Sequence, residues 1–281
     1  MLLEVIACTP EDAVAAERGG ADRIEWIADP QVGGVTPDLS MAAEMRRAVR
    51  LPIRVMVRPR GGGFVYSEEE QEQMRRDIRR IAAVGGLDVV TGVLTPEGTV
   101  DESALDGLLN AGRSFAFTFH RAFDEAENLP RALEVLSAYP QVTDILTSGG
   151  APSAPEGAAM LAELLRCSPQ AVGAPSSAAQ ALLPTQPRSA PSTASQDFAP
   201  PSTRSDLAAA SQAPELLTAS PQILAGAGLT AENLRPFLDA TNATRIHIGS
   251  AARFGGISSA PIDPERVREI RSLLERHLSG R

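Results

Sequence analysis

Eight short β-rich runs alternate with amphipathic helical stretches along this 281-residue chain. The strict alternation predicts an α/β fold, a parallel sheet covered by helices. The count of eight predicts that the sheet closes into a (β/α)8 TIM barrel. No Gly-x-Gly-x-x-Gly follows the first run, which weakens the rival reading, a doubly wound open sheet. One stretch departs from the pattern. Residues 168–220 hold 13 Ala, 10 Ser and 8 Pro but only five charged residues. Such a segment has little to bury and no periodicity. It reads as a disordered, low-complexity insertion between the sixth helix and the seventh strand of a single 1–281 domain. In a barrel that connection lies on the face away from the chemistry.

The elements follow from local signals. Leu2 to Cys8 is the first strand. Thr9 then caps a helix that has Pro10 at its first position and closes at Gly19-Gly20. Arg23 to Ala28 is the second strand, followed by a Gly33-Gly34 loop and a helix over roughly Ser40 to Arg50. The third strand runs Ile53 to Arg58, and a strongly charged amphipathic helix spans Glu68 to Val84, stopped by Gly85-Gly86. Asp88 to Leu94 and Ser114 to Phe119 are the fourth and fifth strands, with helices over Glu102 to Asn110 and Leu129 to Ala138. Asp144 to Thr147 is the sixth, followed by a helix over Glu156 to Cys167. Gln222 to Ala225 and Arg245 to Gly249 are the last two, with helices over Ala231 to Asp239 and from Asp263-Pro264-Glu265 to near Leu278.

Composition excludes several functions. The net charge is −9 and no basic cluster appears, which argues against nucleic acid and anionic membrane surfaces as partners. No apolar run approaches the roughly 20 residues of a membrane span. All 26 cationic side chains are arginine, so neither Schiff-base lysine chemistry nor a P-loop lysine is available. Cys8 and Cys167 form no zinc or disulfide pattern. With no signal peptide at Met1-Leu2-Leu3-Glu4, a reducing cytoplasmic setting is expected.

The chemistry gathers at strand ends. The run Phe115 to Phe119 ends abruptly in His120-Arg121-Ala122-Phe123-Asp124. Charges there would be costly without a use or a partner. Alternation puts Glu4 and Cys8 on one face of the first strand, Arg23 and Glu25 on one face of the second, and Met56 and Arg58 on one face of the third. His120 with Glu25 or Glu4 forms a candidate acid–base set, with His247 on the eighth strand. Arg58 and Arg60, leaving the third strand at Arg58-Pro59-Arg60-Gly61-Gly62-Gly63, are candidate anion ligands. Gly226 and Gly228 after the seventh strand and Ser250 after the eighth would add backbone donors, where barrels commonly hold phosphate. Two alternatives stand beside these. The inward charges can form an ionic network that only fixes the barrel, and Arg121 can pair with Asp124 as a surface brace.

Several phrases taken together resemble the CutC family, named for copper homeostasis. They are Leu3-Glu4-Val5, Arg23-Ile24-Glu25, Gly33-Gly34-Val35-Thr36-Pro37, Arg58-Pro59-Arg60-Gly61-Gly62, Thr91-Gly92-Val93-Leu94, Thr118 to Asp124, Leu146-Thr147-Ser148-Gly149 and Ala225-Gly226-Ala227-Gly228. The resemblance implies a TIM barrel, a cytoplasmic protein and a link to copper, with copper as the cofactor. Relatives often carry a cysteine pair at the end of the first strand, where Ala7-Cys8 keeps one; the Gly-rich loop has Gly63 where relatives often have an acid. Cys8 and His120 are then the candidate metal ligands, with Met56 the other inward soft group and His247 a further imidazole for copper(II). Two functions are therefore expected: copper handling, or acid–base chemistry on a small phosphorylated or carboxylated substrate. The expected partner is a small anionic ligand or a copper ion, and a homo-oligomer is a further option.

Overall fold

In the computed structural model, which describes residues 1–168 and 220–279, the eight strands close on themselves in chain order. They are β1 (Leu2–Ala7), β2 (Arg23–Trp26), β3 (Ile53–Met56), β4 (Asp88–Thr91), β5 (Phe117–Phe119), β6 (Val142–Thr147), β7 (Gln222–Ala225) and β8 (Arg245–Ile248). All neighbouring pairs are parallel, and β8 returns to pair with β1. The helices are α1 (Pro10–Gly19), α2 (Ala42–Ala48), α3 (Glu68–Val84), α4 (Glu102–Ala111), α5 (Leu129–Ser137), α6 (Ala158–Cys167), α7 (Ala231–Thr241) and α8 (Pro264–Ser279). The α/β barrel expected from the alternation is therefore the observed fold. Apart from its end residues Ser168 and Ser220, the expected insertion lies outside the described residues. Among the described residues, no helix is long and apolar enough to cross a membrane.

Local signals set the helix ends. Thr9 accepts from the Asp12 amide at 3.2 Å, and Gly20 closes α1 at φ 94°, a left-handed conformation that glycine adopts without penalty. Ser67 and Glu70 form a reciprocal capping box on α3. Strand ends are shorter than the apolar runs suggest. β3 stops at Met56 and β4 at Thr91, because the chain then turns into loops over the barrel mouth. β5 keeps only Phe117–Phe119, and α2 is preceded by a separate 3-10 turn, Leu39–Met41.

Every strand is buried on both faces. On β1, Leu3, Val5 and Ala7 pack outward into the core beneath the helices, and Glu4 points inward. The lumen is layered. At its N-terminal end sits an ionic plug centred on Asp144, which meets Arg54 Nη2 and Arg245 Nη1 at 2.8 Å each and Arg23 Nη1 at 3.2 Å. Burial raises the Asp144 carboxyl, but the three arginines outweigh it and hold it well below the usual carboxylate range. Arg54 also donates to Thr118 and, at 2.8 Å, to Thr143. Farther along the lumen an apolar cluster of Ile27, Met56 and Val90 packs against Ile6 and Cys8.

Candidate functional site

A cavity of about 660 Å3 opens at the C-terminal ends of the strands. Its floor includes Ile6, Ile27, Met56 and Leu146; its polar lining includes Glu25, Arg58, His120, Asp124 and His247. Parallel register explains one group. Glu4 lies opposite Arg23 on one side and His247 on the other. Its carboxylate is fully buried, ion-paired to Arg23, and bonded through Oε1 to His247 Nδ1 at 2.8 Å. Burial raises the Glu4 carboxyl, yet Arg23 and His247 outweigh it and hold it down at about 2. The other face of the His247 ring approaches Glu25, with Nε2 3.7 Å from Oε2. Burial pushes the Glu25 carboxyl up to about 7, and its Oε1 has no hydrogen-bond partner. Burial alone would lower His247; the two carboxylates reverse that and raise it. The ligand atoms of Glu4, Glu25 and His247 lie within 4.8 Å of one another.

His120 stands apart from this group. It caps the 3-10 turn Arg121–Glu125, its Nδ1 accepting from the Ala122 amide at 3.1 Å. A neutral ring that accepts at Nδ1 carries its proton on Nε2, so the free nitrogen is a donor. Burial, reinforced by the Arg58 charge, pushes His120 down to about 3. The ring is thus neutral near pH 7 and poorly suited to act as a general base there. The same tautomer offers no lone pair at Nε2 to a metal. Phe64 packs on it, ring centroids 4.9 Å apart.

The arginine loop differs from its expected form. The Arg58 fork is taken up by backbone: Nη1 donates to Gly34 O at 3.0 Å and Val32 O at 3.1 Å, and Nη2 to Gly62 O at 2.6 Å. It staples the loops after β2 and β3 together, so the expected bidentate grip on a ligand is not available. Its charge remains at the cavity wall, 4.7 Å over the Phe64 ring. Arg60 turns outward to Glu70 at 2.6 Å and does not line the cavity. Gly228 and Ser250 do line it. Gly226 instead spaces its neighbours: a side chain there would meet Leu146 Cδ1 at 2.7 Å. Cys8 packs inward beside Met56, as alternation expects, but its Sγ accepts from Arg253 at 3.4 Å. Burial raises the Cys8 thiol above its ordinary value. Cys8 and His120 are not among the three clustered ligand groups.

Two roles escaped the sequence reading. Asp124 does pair with Arg121, at 2.9 Å, and Arg121 stays partly exposed as a surface brace would, but the Asp124 carboxylate itself is largely covered. It also accepts from the Ser148 amide at 3.0 Å and the Gly150 amide at 2.9 Å, clamping the loop after β6. Asp144 is the centre of the ionic plug. Neither role has a local signature, since both depend on partners distant in the chain.

An eight-stranded barrel with a polar cavity at the strand C-termini defines a TIM-barrel protein, the cavity being lined by strand residues such as Glu25 and His247 and by strand-exit loops. Residues 1–175 match the profile of the CutC family, and the chain belongs to that family. A CutC family protein of Salmonella paratyphi B is 42% identical over 164 residues, covering 58% of this chain and 66% of the relative, a little under two thirds of its length. That of Salmonella enteritidis PT4 matches to the same extent. Among solved structures, CutC from Streptococcus agalactiae superposes with a TM-score of 0.66, covering 88% of this chain and 97% of that one at 23% identity. At that identity the likeness concerns the fold. The same holds for thiamine phosphate pyrophosphorylase from Pyrococcus furiosus, with a TM-score of 0.51, 15% identity and coverage of 99% and 96%.

Proposed function

We propose that this chain serves copper homeostasis in the cytoplasm by holding a copper(II) ion between Glu25 and His247. Family membership supports the link to copper. The observation that carries the site is the buried convergence of Glu4, Glu25 and His247. The donor set decides the oxidation state. Copper(I) favours thiolate and thioether, but the Cys8 sulfur is engaged by Arg253 and Met56 is packed in apolar contacts. Imidazole and carboxylate suit copper(II). Glu4 bonds Nδ1 and so fixes the tautomer that leaves the His247 Nε2 lone pair free for a metal, an outer-sphere arrangement common around metal-binding histidines. Glu4 itself is occupied by Arg23 and is the orienting group.

Electron paramagnetic resonance during copper(II) titration tests this. One equivalent should bind with hyperfine structure from a single imidazole nitrogen. Glu25→Gln and His247→Gln should each weaken binding by at least roughly 10- to 100-fold, the range already seen for losing only a partner that orients a ligand. Cys8→Ser should leave the spectrum unchanged. Binding that survives His247→Gln, or vanishes in Cys8→Ser, would refute the assignment.

A further inference from the structure

The cavity is far larger than a metal ion, and its far wall carries groups that metal binding leaves idle. Arg58 is 5% exposed and His120 3% exposed. Among the described residues no carboxylate lies within ion-pair range of the Arg58 guanidinium; its partners are carbonyl oxygens, and the Tyr66 hydroxyl lies beside it without a well-aligned hydrogen bond. His120 Nε2 has no partner either. A buried cation without a counter-ion and a buried donor without an acceptor are each costly, by several kcal/mol and about 1–3 kcal/mol respectively. Both residues line the same cavity and both pack on Phe64.

We infer that this wall is a binding site for a small organic carboxylate, with an anionic oxygen accepting from His120 Nε2–H and its charge balanced by Arg58. Three observations narrow the ligand. The Arg58 fork is consumed by backbone, so the wall offers a charge and few donors, which suits a monoanion better than phosphate. Glu25, on the same cavity, disfavours a second negative charge. The floor of Ile6, Ile27, Met56 and Leu146 favours an apolar body. The site requires no metal.

Butyrate, its uncharged isostere butyramide and inorganic phosphate separate the possibilities when titrated into the protein in the presence of a chelator. Butyrate should bind with a dissociation constant on the order of 1 mM, reasonable for six non-hydrogen atoms. Butyramide should bind at least tenfold more weakly. His120→Asn keeps a side-chain acceptor for the Ala122 amide, since asparagine is a good cap, but removes the Nε2 donor. It should weaken butyrate roughly tenfold, the effect of one lost hydrogen bond to a charged group. If that variant does not fold, nitrogen NMR of the wild-type histidines replaces it, and butyrate must shift the His120 Nε2 resonance. Absence of butyrate binding, equal binding by butyramide, tighter binding of phosphate, full affinity in folded His120→Asn, or an unmoved Nε2 resonance would each overturn the inference. None of these readouts depends on copper, so failure here leaves the metal assignment standing, and the reverse also holds.

Discussion

His120 is pushed down to about 3 because burial disfavours the imidazolium and Arg58 repels it. His247, equally buried, is raised because Glu25 and Glu4 face it. The two rings therefore couple to stability with opposite signs. His247 is more basic folded than unfolded; its contribution is present below the unfolded value of 6.5 and is lost as pH rises through its folded value. His120 resists protonation when folded. As pH falls from 6.5 toward about 3, the unfolded chain takes up a proton that the folded ring refuses, so stability falls across that window. The slope is at most about 1.4 kcal/mol per pH unit for one proton. Urea unfolding of wild type and His120→Asn between about pH 7 and about pH 4.5 isolates this term. The stability advantage of wild type should shrink as pH falls. A difference that stays constant with pH would mean that the folded His120 titrates normally.

At the scale of elements, the site depends on where a strand ends and what the next loop grips. Gly92, just past β4, leaves the slot that the His120 ring occupies. A β-carbon there would lie 2.6 Å from His120 Nδ1 and 3.1 Å from the Ala122 β-carbon. Gly92→Ala should displace the ring, break the Ala122 amide bond to Nδ1 and destabilise by about 1–3 kcal/mol through overpacking. Denaturation together with the His120 ring resonances would show it; unchanged stability and an unmoved ring would disprove the slot. The eight units were legible because buried parallel strands and amphipathic helices have different periods, and a cap such as Thr9 acts over three residues. Strand ends were less so. Ser114 to Ala116 is apolar enough to extend β5, yet pairing begins only at Phe117. Glu25 and His247 were legible as inward groups from alternation alone. The direction of the Arg58 fork was not, because carbonyls at Val32 and Gly34 set it from more than twenty residues away. Asp144 was visible only as the first residue of a strand; which arginines reach it depends on closure of the whole barrel.

Across the molecule, charge is sorted along the barrel axis. The N-terminal end is closed by arginines and carboxylates paired with one another, and removing one partner of such buried pairs costs about 3–5 kcal/mol. The C-terminal end keeps groups without partners around a cavity. Stability and binding are thus assigned to opposite ends, and the corner between α6 and β7 belongs to neither. There Ser168 is fully buried, its amide bonded to Leu164 O at 2.9 Å and its hydroxyl to Pro221 O. The barrel closes its own corner on either side of residues 169–219. β7 then pairs with β6 from Gln222 onward. A chain in which a short Gly-Ser turn replaces residues 170–219 should keep Ser168, the corner and both strands. By chain-entropy scaling, shortening the connection from roughly 50 residues to about five lowers its closure cost by roughly 2 kcal/mol, so the deletion should melt at or slightly above the wild-type temperature. Butyrate and copper(II) binding should be unchanged, because the corner lies at the end of the barrel away from the cavity. Loss of the cooperative melt would show that the segment is part of the fold; a folded deletion that no longer binds either ligand would show that it reaches the site.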